Sequence, residues 1–205
     1  MTPPGPRAST NASEVARRPN GRSARVQRQV FDAALSILAR EGRVGLTMDA
    51  VAHEAAVHKT TLYRRWGSIE VLIREACTDY DDTSVKAPDT GSFGSDVHAL
   101  AHQFGRYLAQ PVSQAIVRMV VSDAPHDDEL RAWADDFWLT RSGPFDTVVE
   151  RAIARGELPR DTTAIDLAEP LIGPLILRAL VTGFDLADHD FLDRLARIVT
   201  RGLTA

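Results

Sequence analysis

The segment VHKTTLYRRW, residues 57–66, concentrates side chains that can bind nucleic acid. Within ten residues it holds cations, hydroxyl groups and aromatic rings: Lys59, Thr60, Thr61, Tyr63, Arg64, Arg65 and Trp66. Cations and hydroxyls contact phosphates and base edges, whereas an apolar ring can fix the segment to a core. A short cationic helix is also commonly just a solvated surface with no ligand. The flanking sequence distinguishes this interpretation from nucleic-acid binding.

The distribution of charge separates this part of the chain from the rest. The formal net charge is −4, but residues 1–66 carry 11 Lys+Arg against 5 Asp+Glu, a net of +6. Residues 67–205 carry the remaining 13 and 23, a net of −10. A basic third joined to an acidic remainder indicates that one part of the molecule meets a polyanion and the other does not.

The composition is that of an ordinary soluble globular protein, with 205 residues, 44% apolar and 25% charged. The longest strongly apolar stretch, LIGPLIL at 171–177, is far too short to cross a bilayer, so no membrane partner is expected. The N-terminal sequence has no apolar core and is not expected to act as a secretory signal. The single cysteine, Cys77, excludes an internal disulfide and fits a cytoplasmic location.

Three helices are predicted up to and including the basic segment. Residues 1–21 are rich in Pro, Ser, Asn, Gly and Arg and are interpreted as a disordered basic arm, either inert or reaching DNA through its arginines. A first helix begins near Arg22 and ends near Gly42. Thr47 caps a second helix, and after a break at 56–58 a third helix runs from Lys59 to Trp66.

Two short helices joined by a tight turn form the helix-turn-helix pattern, whose second helix enters the major groove of DNA. Lys59, Thr60 and Thr61 lie at the end of that helix from which side chains reach base edges. Tyr63 and Arg64 lie further along, where phosphates run. Leu62 and Trp66, four residues apart, share the face that would anchor the helix to the core.

The stretch FDAALSILAREGRVGLTMDAVAHEAAVHKTTLYRRWGSIEVL, residues 31–72, resembles the DNA-binding domain of the TetR family of one-component transcriptional regulators. The resemblance is close over residues 22–80. It implies contacts to the DNA backbone from Thr47 and Tyr63, and contacts in the groove from Lys59, Thr60, Thr61 and Arg64.

The chain departs from the family pattern at three positions. Ala56 stands where the turn usually has glycine, His58 where the helix cap usually has serine, and Ile69 where a phosphate-binding lysine often stands. An alanine forced into the left-handed region would cost about 1 kcal/mol. His58 is a poorer cap than serine but can itself face DNA, so it joins the predicted DNA-binding residues.

Helical periodicity returns repeatedly after a polar boundary at 81–94, and no sustained period-2 alternation is present. The sequence therefore predicts an all-α fold, with a three-helix helix-turn-helix domain at 22–80 and a helical effector-binding and dimerisation domain at 81–205. The last two helices, at about 163–184 and 188–203, are apolar over much of their circumference. They are expected to form a homodimer, and Pro170 and Pro174 are expected to bend or interrupt the first of them.

A cluster of aromatic residues in the second domain would either fill the core or line a cavity for a mainly hydrophobic ligand. The predicted effector-pocket residues are His102, Phe104, Tyr107, Arg118, Met119, Trp133, Phe137, Trp138 and Arg178. His98 and His102 have the spacing of metal ligands, but no third ligand stands at motif spacing. They are therefore interpreted as surface or pocket histidines, and neither a metal nor a cofactor is expected.

These observations together favour a ligand-responsive transcriptional regulator, a repressor that binds a palindromic DNA operator as a homodimer and is released by a small effector. Two alternatives remain: a small all-helical enzyme, and a structural DNA-binding protein without an effector. Against an enzyme, the sequence has no glycine-rich phosphate loop, no G-x-S-x-G motif and no Cys–His pair in a catalytic context, so no catalytic residues are predicted.

Overall fold

The computed structural model describes residues 20–81, 85–140 and 143–204, and every regular element within them is helical. The helices are α1 Asn20–Gly45, α2 Met48–Glu54, α3 Lys59–Trp66, α4 Ile69–Asp81, α5 Phe93–Leu108, α6 Pro111–Asp123, α7 Asp128–Thr140, α8 Gly143–Ala154, α9 Ala164–Leu177 and α10 His189–Thr204. A 3₁₀ turn, Ala124–His126, follows α6, and a π-helical turn, Arg178–Thr182, extends α9. The predicted all-α fold is confirmed. No helix in the described ranges combines the length and apolar character that a membrane crossing requires.

The N-terminal helix begins earlier than its sequence pattern indicated. Asn20 and Gly21 already belong to α1, while residues 1–19 of the predicted arm lie outside the described residues. Gly42 interrupts α1 with a positive φ of 71°, as expected for a glycine at a helix terminus, and a further short helical segment carries the chain to Gly45.

The first of two hydrophobic cores holds the three N-terminal helices together. Val30, Ile37 and Leu38 of α1 pack with Val51 of α2 and Leu62 of α3, all buried. The same core continues through α4 into one face of α6 and the start of α7, with members that include Leu72, Ala76, Ile116, Met119, Val120 and Leu130. The helix-turn-helix is thus built on a core that it shares with the rest of the chain.

The second core lies between α5, α8, α9 and α10. Its fully buried members are Val97, Leu100, Ala101, Val148, Ala152, Leu167, Leu171 and Leu175. Val117 of α6 joins this core, while Ile116 and Met119 of the same helix join the first. Helix α6 therefore contributes to both cores.

Helix α9 continues through both of its prolines without a break. The sequence analysis expected them to bend or interrupt the helix, and the structure shows no interruption. Pro170 and Pro174 lie inside Ala164–Leu177, and each removes one backbone hydrogen bond. Burial of Leu167, Leu171 and Leu175 holds the helix in place, and packing of this kind commonly outweighs local propensity. The irregular π turn begins only at Arg178.

A buried carboxylate ties the start of α5 to the end of α8. Asp96, which is fully buried, accepts hydrogen bonds of 2.7 Å from both the backbone nitrogen and the hydroxyl of Thr90. It also pairs with Arg155 at 3.2 Å. Since a buried charge is costly unless it is paired and hydrogen-bonded, this network fixes the segment that leads into α5.

Helices α5 and α10 pack closely because α5 carries a glycine at their point of contact. A Cβ atom at Gly105 would lie 2.8 Å from the carbonyl oxygen of Leu186 and 3.0 Å from the side chain of Leu192. Gly94, nearer the start of α5, has more room, since its Cβ would lie 3.4 Å from Thr200.

We expect Gly105→Ala to lower the free energy of unfolding by about 1–3 kcal/mol, because a backbone carbonyl cannot move aside cheaply. Urea denaturation followed by circular dichroism measures the change. Gly94→Ala is the matched control and should be neutral or slightly stabilising, since alanine favours a helix. Equal stability of the two variants would contradict the close contact at Gly105.

Candidate nucleic-acid interface

Helix α3 is fixed to the first core by the two residues that the sequence singled out as anchors. Leu62 and Trp66 are buried, and the Trp66 ring lies 5.9 Å from that of Phe31. The indole Nε1 donates a hydrogen bond of 2.9 Å to Glu75 on α4. The predicted anchoring is confirmed, and the orientation of α3 is set by one polar and several apolar contacts.

The polar side chains of α3 lie on its outer face. His58, Lys59, Thr60, Tyr63 and Arg64 are exposed, and Tyr63 keeps 47% of its surface although it is aromatic. Thr61 is half-buried. An exposed tyrosine hydroxyl among cations and hydroxyls is suited to donate to phosphate oxygens.

Lys59 is held by a carboxylate. Its Nζ pairs with Asp49 in the first turn of α2 and lies 5.6 Å from the centre of the Tyr63 ring. The hydrogen bond with Asp49 raises the pKa of Lys59 above its usual value, so the side chain is cationic at neutral pH. The pair links α2 to α3, and Lys59 has to leave it to contact a base.

Arg65, whose direction the sequence left open, points toward the start of α1. It donates to the hydroxyl of Ser23 at 3.2 Å and to the side chain of Gln27. Its guanidinium also lies 4.9 Å from the Trp66 ring. Arg65 thus joins α3 to α1.

Thr47 caps α2 as predicted. Its hydroxyl accepts a hydrogen bond of 3.1 Å from the backbone nitrogen of Ala50, which satisfies one of the free donors of the first turn. His58 precedes α3 but makes no side-chain cap hydrogen bond. Its exposed imidazole therefore stays available to a ligand.

Seven of the nine residues predicted to line an effector pocket have described side chains, and these seven do not converge on one cavity. Met119 is buried in the first core with Trp133 packed against it, whereas Phe104 and Tyr107 pack against the second. Arg118 is exposed. The side chains of Phe137 and Trp138 lie outside the described residues. Helical periodicity marks a buried face but does not tell which of two cores receives it.

Arg178 serves the connection between the last two helices. It donates to the carbonyl oxygen of Asp185 at 2.7 Å, pairs with Asp188 at 3.5 Å and lies 3.4 Å from the centre of the Phe191 ring. These contacts place it at the α9–α10 loop, where it orders the turn.

An open groove of about 540 Å³ runs along α5 beside the end of α4. Its lining mixes rings, amides and cations: Tyr80, His98, Ala99, His102, Gln103, Arg106, Tyr107 and Gln110. His102 and Tyr107 are the two predicted pocket residues among them. Tyr80 shares a hydrogen bond of 3.1 Å with the buried Ser113 of α6. The groove therefore borders both α4 and α5.

The two histidines of α5 have a neighbour that the sequence did not reveal. The Nε2 atoms of His98 and His102 lie 2.9 Å and 2.8 Å from the same oxygen of Asp193. Asp193 lies on α10, more than ninety residues further along the chain, so only the packing of α5 on α10 brings it close. Both histidines line the groove, as the sequence interpretation allowed, and Asp193 adds a third potential ligand that no motif spacing could reveal.

Comparison with known proteins identifies the chain. The sequence profile of the N-terminal domain described as "Bacterial regulatory proteins, tetR family" matches residues 30–76. The profile described as "Tetracyclin repressor-like, C-terminal domain" matches residues 87–199, which is more than half of the chain. The protein belongs to the TetR family of transcriptional regulators. It is a DNA-binding regulator with a helix-turn-helix domain, as the resemblance implied.

Individual TetR-family relatives cover most of this chain. The HTH-type transcriptional regulator AqdR of Rhodococcus erythropolis is 29% identical over 155 residues, 75% of this chain and 73% of that protein. The DNA-binding transcriptional repressor TetR of Mycobacteroides abscessus is 30% identical over 166 residues, 79% of this chain and 85% of that protein. The solved structure of the TetR family regulator SCO0332 superposes with a TM-score of 0.69 at 24% identity, covering 87% and 98% of the two chains. These relatives are regulators, and the enzyme alternative is not favoured.

The turn of this TetR-family helix-turn-helix places an alanine in a conformation that favours glycine. Ala56 has a φ of 51°. The backbone nitrogens of Ala56 and Val57 donate to the carbonyls of His53 and Ala52 at 3.2 Å and 3.0 Å, which is the Schellman arrangement. The end of α8 has the same pair of bonds with Gly156 in the left-handed position, at a φ of 75°. The strain anticipated at Ala56 is therefore present.

We expect Ala56→Gly to raise the free energy of unfolding by up to about 1 kcal/mol, because relief of the left-handed strain exceeds the entropy that glycine adds to the unfolded chain. Gly156→Ala, the matched control in the same motif, should lower it by a similar amount. Chemical denaturation of both variants gives the comparison. A destabilised Ala56→Gly variant would contradict the strained turn.

Proposed function

We propose that this TetR-family regulator is a repressor that binds a palindromic operator as a homodimer and leaves it when a small effector binds. Each protomer inserts α3 into the major groove, and the two copies lie about 34–36 Å apart, one turn of DNA. The protein acts in the cytoplasm, where its operator is. The exposed polar face of α3, set opposite the buried Leu62 and Trp66, is the observation that supports this function most directly.

The DNA contacts divide into two kinds. Lys59, Thr60 and Thr61 at the start of α3 read base edges, and His58 approaches the same groove. Thr47, Tyr63 and Arg64 contact phosphates, with Thr47 acting from the cap of α2. Phosphate contacts set position and affinity, and base contacts set the sequence preference. In the free protein, the charge of Lys59 is paired with Asp49. When DNA binds, Lys59 leaves Asp49 and contacts the DNA instead.

The homodimer forms through α9 and α10. Several large apolar side chains on or beside these helices are exposed in the single chain: Ile165, Leu177, Val181, Phe184 and Ile198. An apolar groove also lies between them, lined by Pro170, Pro174, Phe191, Leu195, Ile198 and Leu203 among others. Phe184 and Ile198 keep 63% and 68% of their surface exposed. Exposed apolar side chains beside an apolar groove favour a protein interface, and a second copy of the same two helices offers a matching surface.

The effector binds in the groove beside α5. Tyr80 and Tyr107, whose rings lie 6.2 Å apart, offer aromatic surface, while His102, Arg106, Gln103 and Gln110 offer polar groups. This lining suits a small molecule with an apolar body and at least one polar group. A bound molecule would touch Tyr80 of α4 and so act on the helix that supports α3.

The decisive experiment is selection of DNA fragments from the source genome by the purified protein, followed by sequencing. A palindromic consensus with half-sites one helical turn apart supports the repressor. Binding without sequence preference favours a structural DNA-binding protein instead. Release of the selected operator by candidate effectors then separates a ligand-responsive regulator from a constitutive one.

Tyr63→Phe should weaken binding to operator and unrelated DNA alike, by about 1 kcal/mol or roughly fivefold in Kd, since it deletes one donor to phosphate. Thr60→Ala, which alters a base contact, should instead change the ratio of operator to unrelated affinity. Fluorescence anisotropy titrations at fixed salt measure both. An unchanged affinity for Tyr63→Phe would mean that the hydroxyl does not contact phosphate.

Ile198→Glu should dissociate the dimer, because it places a charge in the apolar face of α10. Sedimentation velocity at micromolar concentration should show a dimer for the wild type and a monomer for this variant. Val44→Glu is the control, since Val44 is also an exposed apolar residue, at 95%, but lies on α1 in the N-terminal domain. A monomeric wild type would exclude this interface.

A further inference from the structure

Three potential metal ligands meet where α5 packs on α10, and a fourth, His189, lies beside them. His98 and His102 lie four residues apart on α5, and His189 and Asp193 lie four residues apart on α10. Residues at that spacing share one face of a helix, so each helix offers two donors to the same place. The donor atoms of His98, His102 and Asp193 all lie within 4.8 Å of one another.

The two histidines of α5 aim at a single point. Both Nε2 atoms contact the same Asp193 oxygen, at 2.9 Å and 2.8 Å. Their rings lie 4.4 Å apart, and the His189 ring lies 5.0 Å from that of His102. His189 is exposed at the start of α10, so a change of side-chain torsion can bring its ring nitrogen to the same point.

We propose that His98, His102 and Asp193 bind one Zn²⁺ ion, with His189 as the fourth protein ligand. Two or three imidazoles with one carboxylate form a ligand set that zinc prefers. Tetrahedral bonds of about 2.0–2.1 Å separate neighbouring ligand atoms by about 3.3 Å. The contacts between the histidines and Asp193 have to open by only about half an ångström to admit the ion.

The surroundings of the cluster suit a metal that enters from solvent. His98 and Asp193 keep 53% and 44% of their side-chain surface exposed, which leaves an entry path, while His102 keeps 13% and is held in place by packing. One carboxylate oxygen of Asp193 lies within hydrogen-bond distance of both imidazoles, so an ion placed between the three side chains would contact all of them.

The site is separate from the proposed dimer face and borders the groove beside α5. Asp193 and Ile198 are five residues apart on α10, which places them roughly 140° apart around the helix axis. Dimer formation therefore leaves the cluster accessible. His98 and His102 do line the groove beside α5, so a bound ion would sit at one wall of it.

Direct measurement of metal binding tests the site without reference to DNA. The full-length protein, free of any histidine tag and stripped with a chelator, is titrated with ZnCl₂ by calorimetry. Co²⁺ is added in parallel, because its visible absorption reports nitrogen and oxygen ligands in tetrahedral geometry. One ion per protomer with a micromolar or tighter Kd is expected, together with a higher thermal unfolding temperature when Zn²⁺ is present.

The variants His102→Ala and Asp193→Asn should each weaken Zn²⁺ binding by more than about tenfold, since even outer partners of a metal site contribute 10- to 100-fold. Asp193→Asn keeps a hydrogen-bond acceptor for both histidines, so it preserves the contact between the helices while removing the charge. His126→Ala is the control, because His126 is an exposed histidine outside the cluster. Its affinity should equal that of the wild type.

Two results would overturn the proposal. One is a wild-type protein that binds Zn²⁺ only at millimolar concentration or without a fixed stoichiometry. The other is an affinity that His102→Ala and Asp193→Asn leave unchanged. Either would mean that the cluster is a hydrogen-bonded bridge between α5 and α10 and nothing more.

Discussion

Helix α4 is held near its middle and near its C-terminal end, and the orientation of α3 depends on it. Near the middle, Glu75 accepts the indole hydrogen bond of Trp66, the residue that anchors α3. Near the C-terminal end, Tyr80 is bonded to the buried Ser113 of α6. The two residues are five positions apart, a rise of about 7.5 Å. A helical segment this short does not bend appreciably, so in the proposed mechanism a ligand that displaces Tyr80 would move the support of α3.

Packing continues between the two parts of the chain. The polar segment at 81–94 is the predicted domain boundary, and the first core extends across it from α4 into α6 and α7. Ile116 and Val117 are adjacent in α6 and enter different cores. A shift of α6 would therefore displace residues in both cores, because close-packed side chains transmit displacement better than a flexible linker does.

The sequence predicted what depends on neighbours within one or two helical turns. Burial of Leu62 and Trp66, the cap at Thr47 and the strained turn at Ala56 all follow from local spacing and backbone stereochemistry. It could not predict that Met119 and Tyr107 enter different cores, or that Asp193 lies beside His102, because those facts depend on how distant helices pack. The aromatic cluster seemed to be one pocket only because periodicity records burial without recording the partner.

In the proposed mechanism, a ligand in the groove beside α5 would change the spacing of the two copies of α3 by two routes. One wall is Tyr80, which leads through α4 to α3. Another is His102, which is bonded to Asp193 on α10, the helix that also carries the exposed Ile198. A molecule in the groove can therefore change both the tilt of α3 within a protomer and the helix that faces the second copy. Such a molecule shifts the equilibrium between two arrangements of the dimer only if it binds one of them more tightly. Each tenfold difference between the two affinities contributes about 1.4 kcal/mol. In the proposed mechanism, a ligand group that competes with Asp193 for His102 would favour an arrangement in which that hydrogen bond is broken, and this preference would supply the difference in affinity.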